Sequence, residues 1–144
     1  MSARLFAALA LIILGALAGR LAAERLRRRC EELHVLAGDM DRLRLAMLEE
    51  RLPMDEALRR CVSPLLRGEE GPETSLAPDD LECLRELSAR LGRGTAGEQA
   101  LLLPQMRERL LQRRDEARAR YQTLGRLYAS LGALGALALA LLFV

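Results

Sequence analysis

The chain has 144 residues, of which 51% are hydrophobic and 29% are charged, and its formal net charge is +2. This near-neutral balance argues against a nucleic-acid-binding protein, and a single histidine excludes a histidine-rich metal site. The charge is unevenly placed, because residues 5–19 and 127–144 carry none and all 20 acidic residues lie between them. The pattern predicts two membrane spans that flank one polar domain.

The first apolar stretch predicts a transmembrane helix within residues 1–23. Residues 5–19 fall short of the ~20 residues that a spanning helix needs, but residues 21–23 complete it if the Arg20 side chain reaches the headgroups. A cleaved signal peptide is the alternative, because Arg4 before a short apolar run fits that pattern too. A retained span is favoured by the arginines that follow it, namely Arg20, Arg25, Arg27, Arg28 and Arg29.

The second apolar stretch, residues 127–144, predicts the other span. No aspartate, glutamate, lysine, arginine or histidine lies within either apolar stretch, which argues against a transporter or a proton path. Because arginine-rich flanks stay in the cytoplasm, the sequence predicts a cytoplasmic domain over residues 24–126 with both termini on the opposite side. The arginines before the second span support the same orientation: Arg113, Arg114, Arg118, Arg120 and Arg126.

Small residues recur four positions apart within both predicted spans. Gly15 and Gly19 have this spacing in the first, and Gly132 and Ala136 have it in the second. The spacing lets two helix backbones approach closely, so it predicts that the spans pack against each other. The alternative is chance, since alanine and glycine are common in spans, and weaker association after Gly19→Leu would favour packing.

The middle segment predicts an all-α bundle without strands. Apolar residues recur with alternating spacings of three and four, so one long helix is expected over residues 4–50 with Pro53 ending it. A short second helix is expected over residues 53–62. A loop rich in glycine and proline is expected over residues 63–78.

Helix-start signals predict the other two helices. One begins near Pro78 with acidic residues in its first turn, and Gly92 and Gly94 close it. Thr95 and Glu98 form a capping box, from which the last helix continues into the second span. The predicted architecture is a pair of long antiparallel helices, anchored in the membrane, with a short helical hairpin between them.

No pattern predicts a catalytic site, a cofactor or a metal, so the chain is expected not to be an enzyme. His34 lies beside the apolar stripe of the first helix, where a solvated or core-edge histidine is commoner than a general base. Adjacent acidic residues diverge by about 100° on a helix and so do not share a site. Cys30, Cys61 and Cys83 are widely spaced, which predicts reduced thiols in a cytoplasmic core.

Four blocks of residues, taken in their order, resemble a known family. In the first half they are Gly-Ala-Leu-Ala-Gly-Arg-Leu over residues 15–21 and Leu-Pro-Met-Asp-Glu-Ala-Leu over residues 52–58. In the second half they are the charged helix over residues 107–120 and Gly-Arg-Leu-Tyr-Ala-Ser-Leu-Gly over residues 125–132. Together with the terminal spans, they resemble stage III sporulation protein AB of endospore-forming bacteria. The chain looks like a shortened member, with the deficit around residues 62–78.

The resemblance implies a non-enzymatic platform in a secretion-like channel complex between mother cell and forespore. The middle domain would be similar to the cytoplasmic domain of type II secretion F proteins. It would face the mother-cell cytoplasm from the outer forespore membrane and receive a secretion-type ATPase similar to stage III sporulation protein AA. Other membrane components of the complex are further implied partners. Self-association is an expectation from the size of the domain, because about 100 residues bury only a modest core.

The exposed acidic and arginine faces of the short hairpin, which is expected to lie farthest from the membrane, predict where such a partner binds. Charge reversal there is expected to abolish binding without unfolding the domain. Two alternatives for the whole protein stay open: a platform or assembly factor of another secretion or pilus system, and a membrane-tethered regulatory protein or enzyme. The predicted docking residues are Asp55, Glu56, Arg59, Asp79, Asp80 and Glu82.

Overall fold

The computed structural model describes residues 2–67 and 74–143. Within these ranges the chain is helical and contains no strand, which confirms the all-α prediction. A π-helical turn, Leu45–Glu49, directly follows the first helix. The helices are α1 (Ser2–Arg44), α2 (Met54–Arg59), α3 (Pro64–Arg67), α4 (Pro78–Arg90) and α5 (Ala96–Phe143).

The chain divides into two compact units. One is formed by Met1–Arg27 with Ala117–Val144, and the other is Arg28–Glu116. The first unit, called the hairpin unit below, consists of the outer parts of α1 and α5. The second, called the inner unit, contains the remainder of α1 and α5 with α2, α3 and α4.

The core of the inner unit follows the apolar spacing of the sequence. Leu33, Leu36, Met40 and Leu43 are buried on one face of α1, as the three-and-four alternation predicts. Their exposed fractions of 1% or less place them in the centre of this core. Helices α4 and α5, with the residue that follows α4 and one that precedes it, contribute further large buried side chains, namely Leu76, Leu87, Leu91, Leu102, Leu103, Met106 and Leu110.

The middle of the inner unit differs from the prediction in two places. The second helix is Met54–Arg59 rather than residues 53–62. The expected loop contains a further helical turn, Pro64–Arg67, and its residues 68–73 lie outside the described ranges. The cause is a distant side chain, because the Asp39 carboxylate accepts hydrogen bonds from the backbone N–H groups of Val62 and Ser63. These two N–H groups therefore donate to a side chain of α1 and do not continue the hydrogen bonding of α2.

The first helix ends within one residue of the predicted bound at residue 50, but Pro53 does not end it. The helical part ends at Glu49, and the Leu52 N–H donates to the Ala46 carbonyl at 2.9 Å. Arg51 between them has a φ of 53°, which a non-glycine residue adopts only where the surrounding chain requires it. The chain therefore reverses at Arg51, and Pro53 directly precedes α2 instead of ending α1.

The start of α5 agrees with the capping signal in the sequence. The Thr95 N–H donates to the Glu98 carboxylate at 2.9 Å, and the Glu98 N–H donates to the Thr95 hydroxyl at 3.3 Å. This reciprocal pair satisfies two amides at the helix start. Gly92 and Gly94 have φ values of 75° and 95°, so the turn between α4 and α5 needs glycine at both positions.

The hairpin unit exposes most of its apolar side chains. Each long helix has an 18-residue window with a mean hydropathy of 2.2 or 1.5, and only 6% of either window is buried. Phe6 is 72% exposed and Leu141 is likewise 72% exposed. Soluble monomers rarely leave so large a continuous apolar surface in water. Both helices are long and apolar enough to cross a membrane, and their exposure is compatible with two spans.

Close backbone contacts join the two helices of the hairpin unit. A Cβ atom added at Gly19 would lie 3.3 Å from the Tyr128 carbonyl oxygen. A Cβ atom added at Gly132 would lie 3.3 Å from the carbonyl oxygen of Gly15. Ala136, the fourth small residue of the predicted packing set, is 6% exposed. The helices run antiparallel, since the partner's number falls as the number along α1 rises.

Gly19→Leu is expected to separate the two helices of the hairpin unit. The leucine side chain has no room beside the Tyr128 carbonyl, and overpacking of this kind costs about 1–3 kcal/mol, roughly a tenfold effect or more. Crosslinking between cysteines introduced at Ala23 and Gly125 measures the contact, because their Cβ positions are 4.0 Å apart, within disulfide range. The crosslinking rate should fall about tenfold.

Gly135→Leu is the matched control for this experiment, because no atom lies within 4 Å of a Cβ added there. The three native cysteines are first replaced by alanine so that only the introduced pair reacts. An unchanged crosslinking rate in Gly19→Leu would contradict packing at this glycine. An equal loss in both variants would assign the effect to the added side chain and not to the contact.

Candidate functional site

A groove between α4 and α5 concentrates acidic side chains on the surface of the inner unit. It has a volume of about 630 Å³. Asp79 and Glu82, both predicted docking residues, line it from the N-terminal part of α4. Antiparallel packing of the two helices adds residues that are remote in sequence. These further lining residues are Cys83, Glu86, Arg109, Gln112, Arg113 and Glu116.

The lining of the groove has more acidic than basic side chains, and Arg29 beneath it offsets part of the charge of Asp79 and Glu116. Glu86 is paired with Arg109 at 3.1 Å, and Arg113 is directed to the buried Asp80 at 3.3 Å. The other three carboxylates form no ion pair or hydrogen bond with any residue that the structure describes, and all three are exposed: Asp79, Glu82 and Glu116. A basic partner segment would supply the missing counter-charge.

Asp80 lies beneath this surface, where it connects three helices. Its side chain is completely buried. Arg29 donates to it with two nitrogens, Nε to Oδ2 at 2.7 Å and a terminal nitrogen to Oδ1 at 3.1 Å. Arg113 donates to Oδ1 at 3.3 Å and the Ala77 N–H donates to Oδ2 at 3.0 Å. The carboxylate therefore joins α1, α4 and α5 and caps the start of α4.

These contacts determine the protonation states of Asp80 and Arg29. Burial alone would raise the pKa of Asp80, but hydrogen bonds from Arg29 and Ala77 and the positive charges of Arg29 and Arg113 outweigh it, so this pKa is lowered. The hydrogen bond to Asp80 raises the pKa of Arg29 against the opposing effect of burial. Both groups are charged at neutral pH. The expectation that Asp80 is an exposed docking residue is wrong, because its oxygens are fully engaged inside the unit.

The predicted docking residues on α2 lie apart from the acidic groove. Asp55, Glu56 and Arg59 are exposed, but none lines the groove. Helix α2 begins beside the opposite end of α4, because the Met54 sulfur occupies the space where a Gly92 side chain would lie. The 13 residues of α4 span ~20 Å. The five exposed residues of the predicted set therefore form two separate surfaces and not one, and the buried Asp80 belongs to neither.

A second groove, of about 530 Å³, lies between α1 and the segment before and within α3. Val35, Val62 and Leu65 line it and are 36%, 52% and 43% exposed. Glu32 closes one end, where it accepts hydrogen bonds from the Thr74 hydroxyl and the Ser75 N–H. The groove is thus apolar, in contrast to the one between α4 and α5.

The cysteines and the histidine occupy positions that suit packing. Burial raises the pKa of Cys61 to about 11, and burial likewise raises the pKa of Cys83, so both remain thiols at neutral pH. Cys61 and Cys83 are buried, as predicted for a reduced core, and Cys30 is half-buried. His34 is exposed, with its Nδ1 3.0 Å from a guanidinium nitrogen of Arg114. No group of three metal-ligating side chains occurs among the described residues.

Sequence reasoning missed three acidic residues that the structure makes important. Glu86 and Glu116 join the groove because α5 packs on α4. Asp39 is completely buried and holds the segment between α2 and α3, with Arg42 as a third donor at 2.8 Å. Its sequence signal was a charged residue inside the buried face of α1, which calls for a specific partner.

Comparison with known proteins identifies one family. The model of the family described as stage III sporulation protein AB matches residues 67–144, more than half of the chain. The matched range contains all of α4 and every residue that lines the acidic groove. No curated protein and no solved structure matches the chain.

Proposed function

The chain belongs to the stage III sporulation protein AB family, and we propose that it is a membrane platform that docks a secretion-type ATPase. As a member of this family it is a sporulation-associated protein. In the proposal it belongs to a secretion-like channel complex between mother cell and forespore. The ATPase would be similar to stage III sporulation protein AA, and the platform itself would carry out no chemistry.

The apolar ends of the two long helices are the evidence for the proposed membrane anchors. The proposed spans are residues 1–23 and 127–144, with residues 24–126 as the cytoplasmic domain. Arginines flank both apolar stretches on the side of this domain, which favours a cytoplasmic location in the mother cell. A helical domain held by two anchors also agrees with the proposed similarity to the type II secretion F-protein domain.

The acidic groove is the observation that carries the docking proposal. Three exposed carboxylates that form no ion pair or hydrogen bond among the described residues, on the surface of two packed helices, would attract a basic segment and fix its orientation. Charge complementarity of this kind raises the encounter rate and the specificity of a complex, and like charges placed against each other cost several kcal/mol. We propose that the ATPase presents arginine or lysine side chains to Asp79, Glu82 and Glu116.

Asp79→Arg with Glu82→Arg is expected to abolish docking of the ATPase. Reversing two charges places like charges against the basic partner, and the affinity should fall about 100-fold or more. The measurement is co-purification of the full-length chain, in neutral detergent, with the secretion-type ATPase of the same cell. Helical circular dichroism verifies that the variant remains folded, as expected for two exposed side chains.

Asp55→Arg with Glu56→Arg is the matched control, because it makes the same charge change on α2, outside the groove. Loss of binding in this control alone would move the docking surface to α2. Equal loss in both variants would indicate an effect of net charge and contradict a defined groove. If the unmodified, folded chain does not bind the ATPase, the docking proposal fails and a structural role in the membrane complex remains.

A further inference from the structure

Arginine is concentrated in the hairpin unit. This unit contains seven arginines and a single acidic residue, Glu24, which gives it a formal charge of +6. The inner unit contains 15 arginines and 19 acidic residues, so its formal charge is −4. The near-neutral total of +2 therefore conceals two units of opposite charge.

Five of the seven arginines in the hairpin unit have no ion-pair or side-chain hydrogen-bond partner among the described residues. Arg27 is paired with Glu24 at 3.1 Å, and the side chain of Arg4 is not described. The remaining five are exposed and form no ion pair or side-chain hydrogen bond with any residue in the described ranges. We call these five the arginine belt: Arg20, Arg25, Arg118, Arg120 and Arg126.

The antiparallel contact places the belt at one end of the apolar surface. Gly19 lies against Tyr128, and Ala23 lies against Gly125, so each step along α1 matches about one step back along α5. This register brings Arg20 and Arg126 to the same level, within ~1.5 Å of axial rise. The other three arginines lie within ~12 Å farther along the same helices.

The apolar stretches begin directly beside the first pair of arginines. Residues 5–19 end one residue before Arg20, and residues 127–144 begin one residue after Arg126. In a bilayer whose hydrocarbon core is ~30 Å thick, the charged ends of such spans lie at the level of the lipid phosphates. The two guanidiniums would therefore meet the headgroup layer together, from adjacent helices.

We propose that the arginine belt binds the phosphate groups of anionic phospholipids. A guanidinium donates two parallel hydrogen bonds to a phosphate, and it remains charged at any physiological pH. Neutral lipids also carry a phosphate, but only anionic lipids bring the net negative charge that five unpaired arginines attract. The proposal requires that the two helices enter a bilayer, and it is independent of ATPase docking.

Arg20→Gln with Arg126→Gln is expected to weaken binding of anionic lipid about 25-fold. Each arginine near a membrane surface contributes about a fivefold effect on affinity. The full-length chain in neutral detergent is titrated with phosphatidylglycerol, and bound lipid is counted by native mass spectrometry. Micelles have no sidedness, so a change in membrane orientation cannot produce the result. Phosphatidylcholine titrated in the same way should bind weakly to both proteins.

Arg85→Gln with Arg93→Gln removes the same charge from the inner unit, where both side chains are exposed and have no ion-pair partner among the described residues. This control should bind phosphatidylglycerol like the parent chain. Equal weakening in both variants, or none in Arg20→Gln with Arg126→Gln, would overturn the proposal. A further arm adds inorganic phosphate at constant ionic strength, and displacement of the lipid by phosphate would show a general anion site instead.

Discussion

Asp80→Asn is expected to lower the free energy of unfolding of the inner unit by about 3 kcal/mol, the usual cost of leaving a buried charge without its partner. The amide keeps the shape of the carboxylate but faces the donors of Arg29, Arg113 and Ala77 with one acceptor oxygen and an NH₂ group. Arg29 then stays largely buried, at 12% exposure, without its hydrogen-bonded counter-charge, and only the more distant charges of Glu116 and Asp79 act on it. Urea unfolding of the full chain in neutral detergent, followed by helical circular dichroism, measures the loss.

Asp79→Asn is the matched control, because it makes the same chemical change one residue earlier, on an exposed side chain without an ion pair among the described residues. Its effect should stay within about 0.5 kcal/mol. Replacing the pair together, by Asp80→Leu with Arg29→Met, should recover part of the stability, since apolar residues need no counter-charge. An equal loss in Asp79→Asn and Asp80→Asn would contradict the role assigned to the buried carboxylate.

The pH dependence of unfolding tests the same interaction. The lowered pKa of Asp80 means that the folded unit binds fewer protons than the unfolded chain near the ordinary carboxyl pKa of about 3.9. The stabilisation is therefore complete above that pH and is lost as the pH falls through the folded-state pKa. In Asp80→Asn this part of the acid sensitivity should be absent.

The sequence predicts the long helices of this protein well because their information is local. Apolar spacing places Leu33, Met40 and Leu43 in the core, and the capping pair of Thr95 and Glu98 starts α5 where it was expected. Each signal lies within a few helical turns of the structure that it specifies. The all-α class and the presence of two long apolar helices follow from the same information.

The candidate site could be predicted only in part because it depends on contacts between distant segments. The first turn of α4 contains Asp79 and Asp80, and Glu82 follows it directly, so the three are equivalent as sequence signals. Helical geometry and the approach of Arg29, 51 positions away, bury one of them and leave the other two exposed. The opposite wall of the groove depends on how α5 packs, for which the sequence carries no short-range signal.

Asp39→Ala is expected to destabilise the inner unit by about 2–3 kcal/mol and to release the segment between α2 and α3. The Val62 and Ser63 N–H groups, now 2.9 and 2.8 Å from the carboxylate oxygens, would lose their acceptors. Each unsatisfied buried donor costs about 1–3 kcal/mol, and water can reach the half-buried Val62 amide more readily than that of Ser63. Hydrogen exchange across residues 61–67 and urea unfolding measure the local and the global effect.

Asp41→Ala is the control for Asp39→Ala, because it removes the same side chain two positions further along α1. Asp41 is 56% exposed and pairs with Arg107 at 2.8 Å, an interaction worth at most about 1 kcal/mol at the surface. Exchange at residues 61–67 should be unchanged in this variant and much faster in Asp39→Ala. If the amides of this segment stayed protected without Asp39, the backbone of α3 would be held by its own packing, and the carboxylate would not be the reason that α2 ends at Arg59.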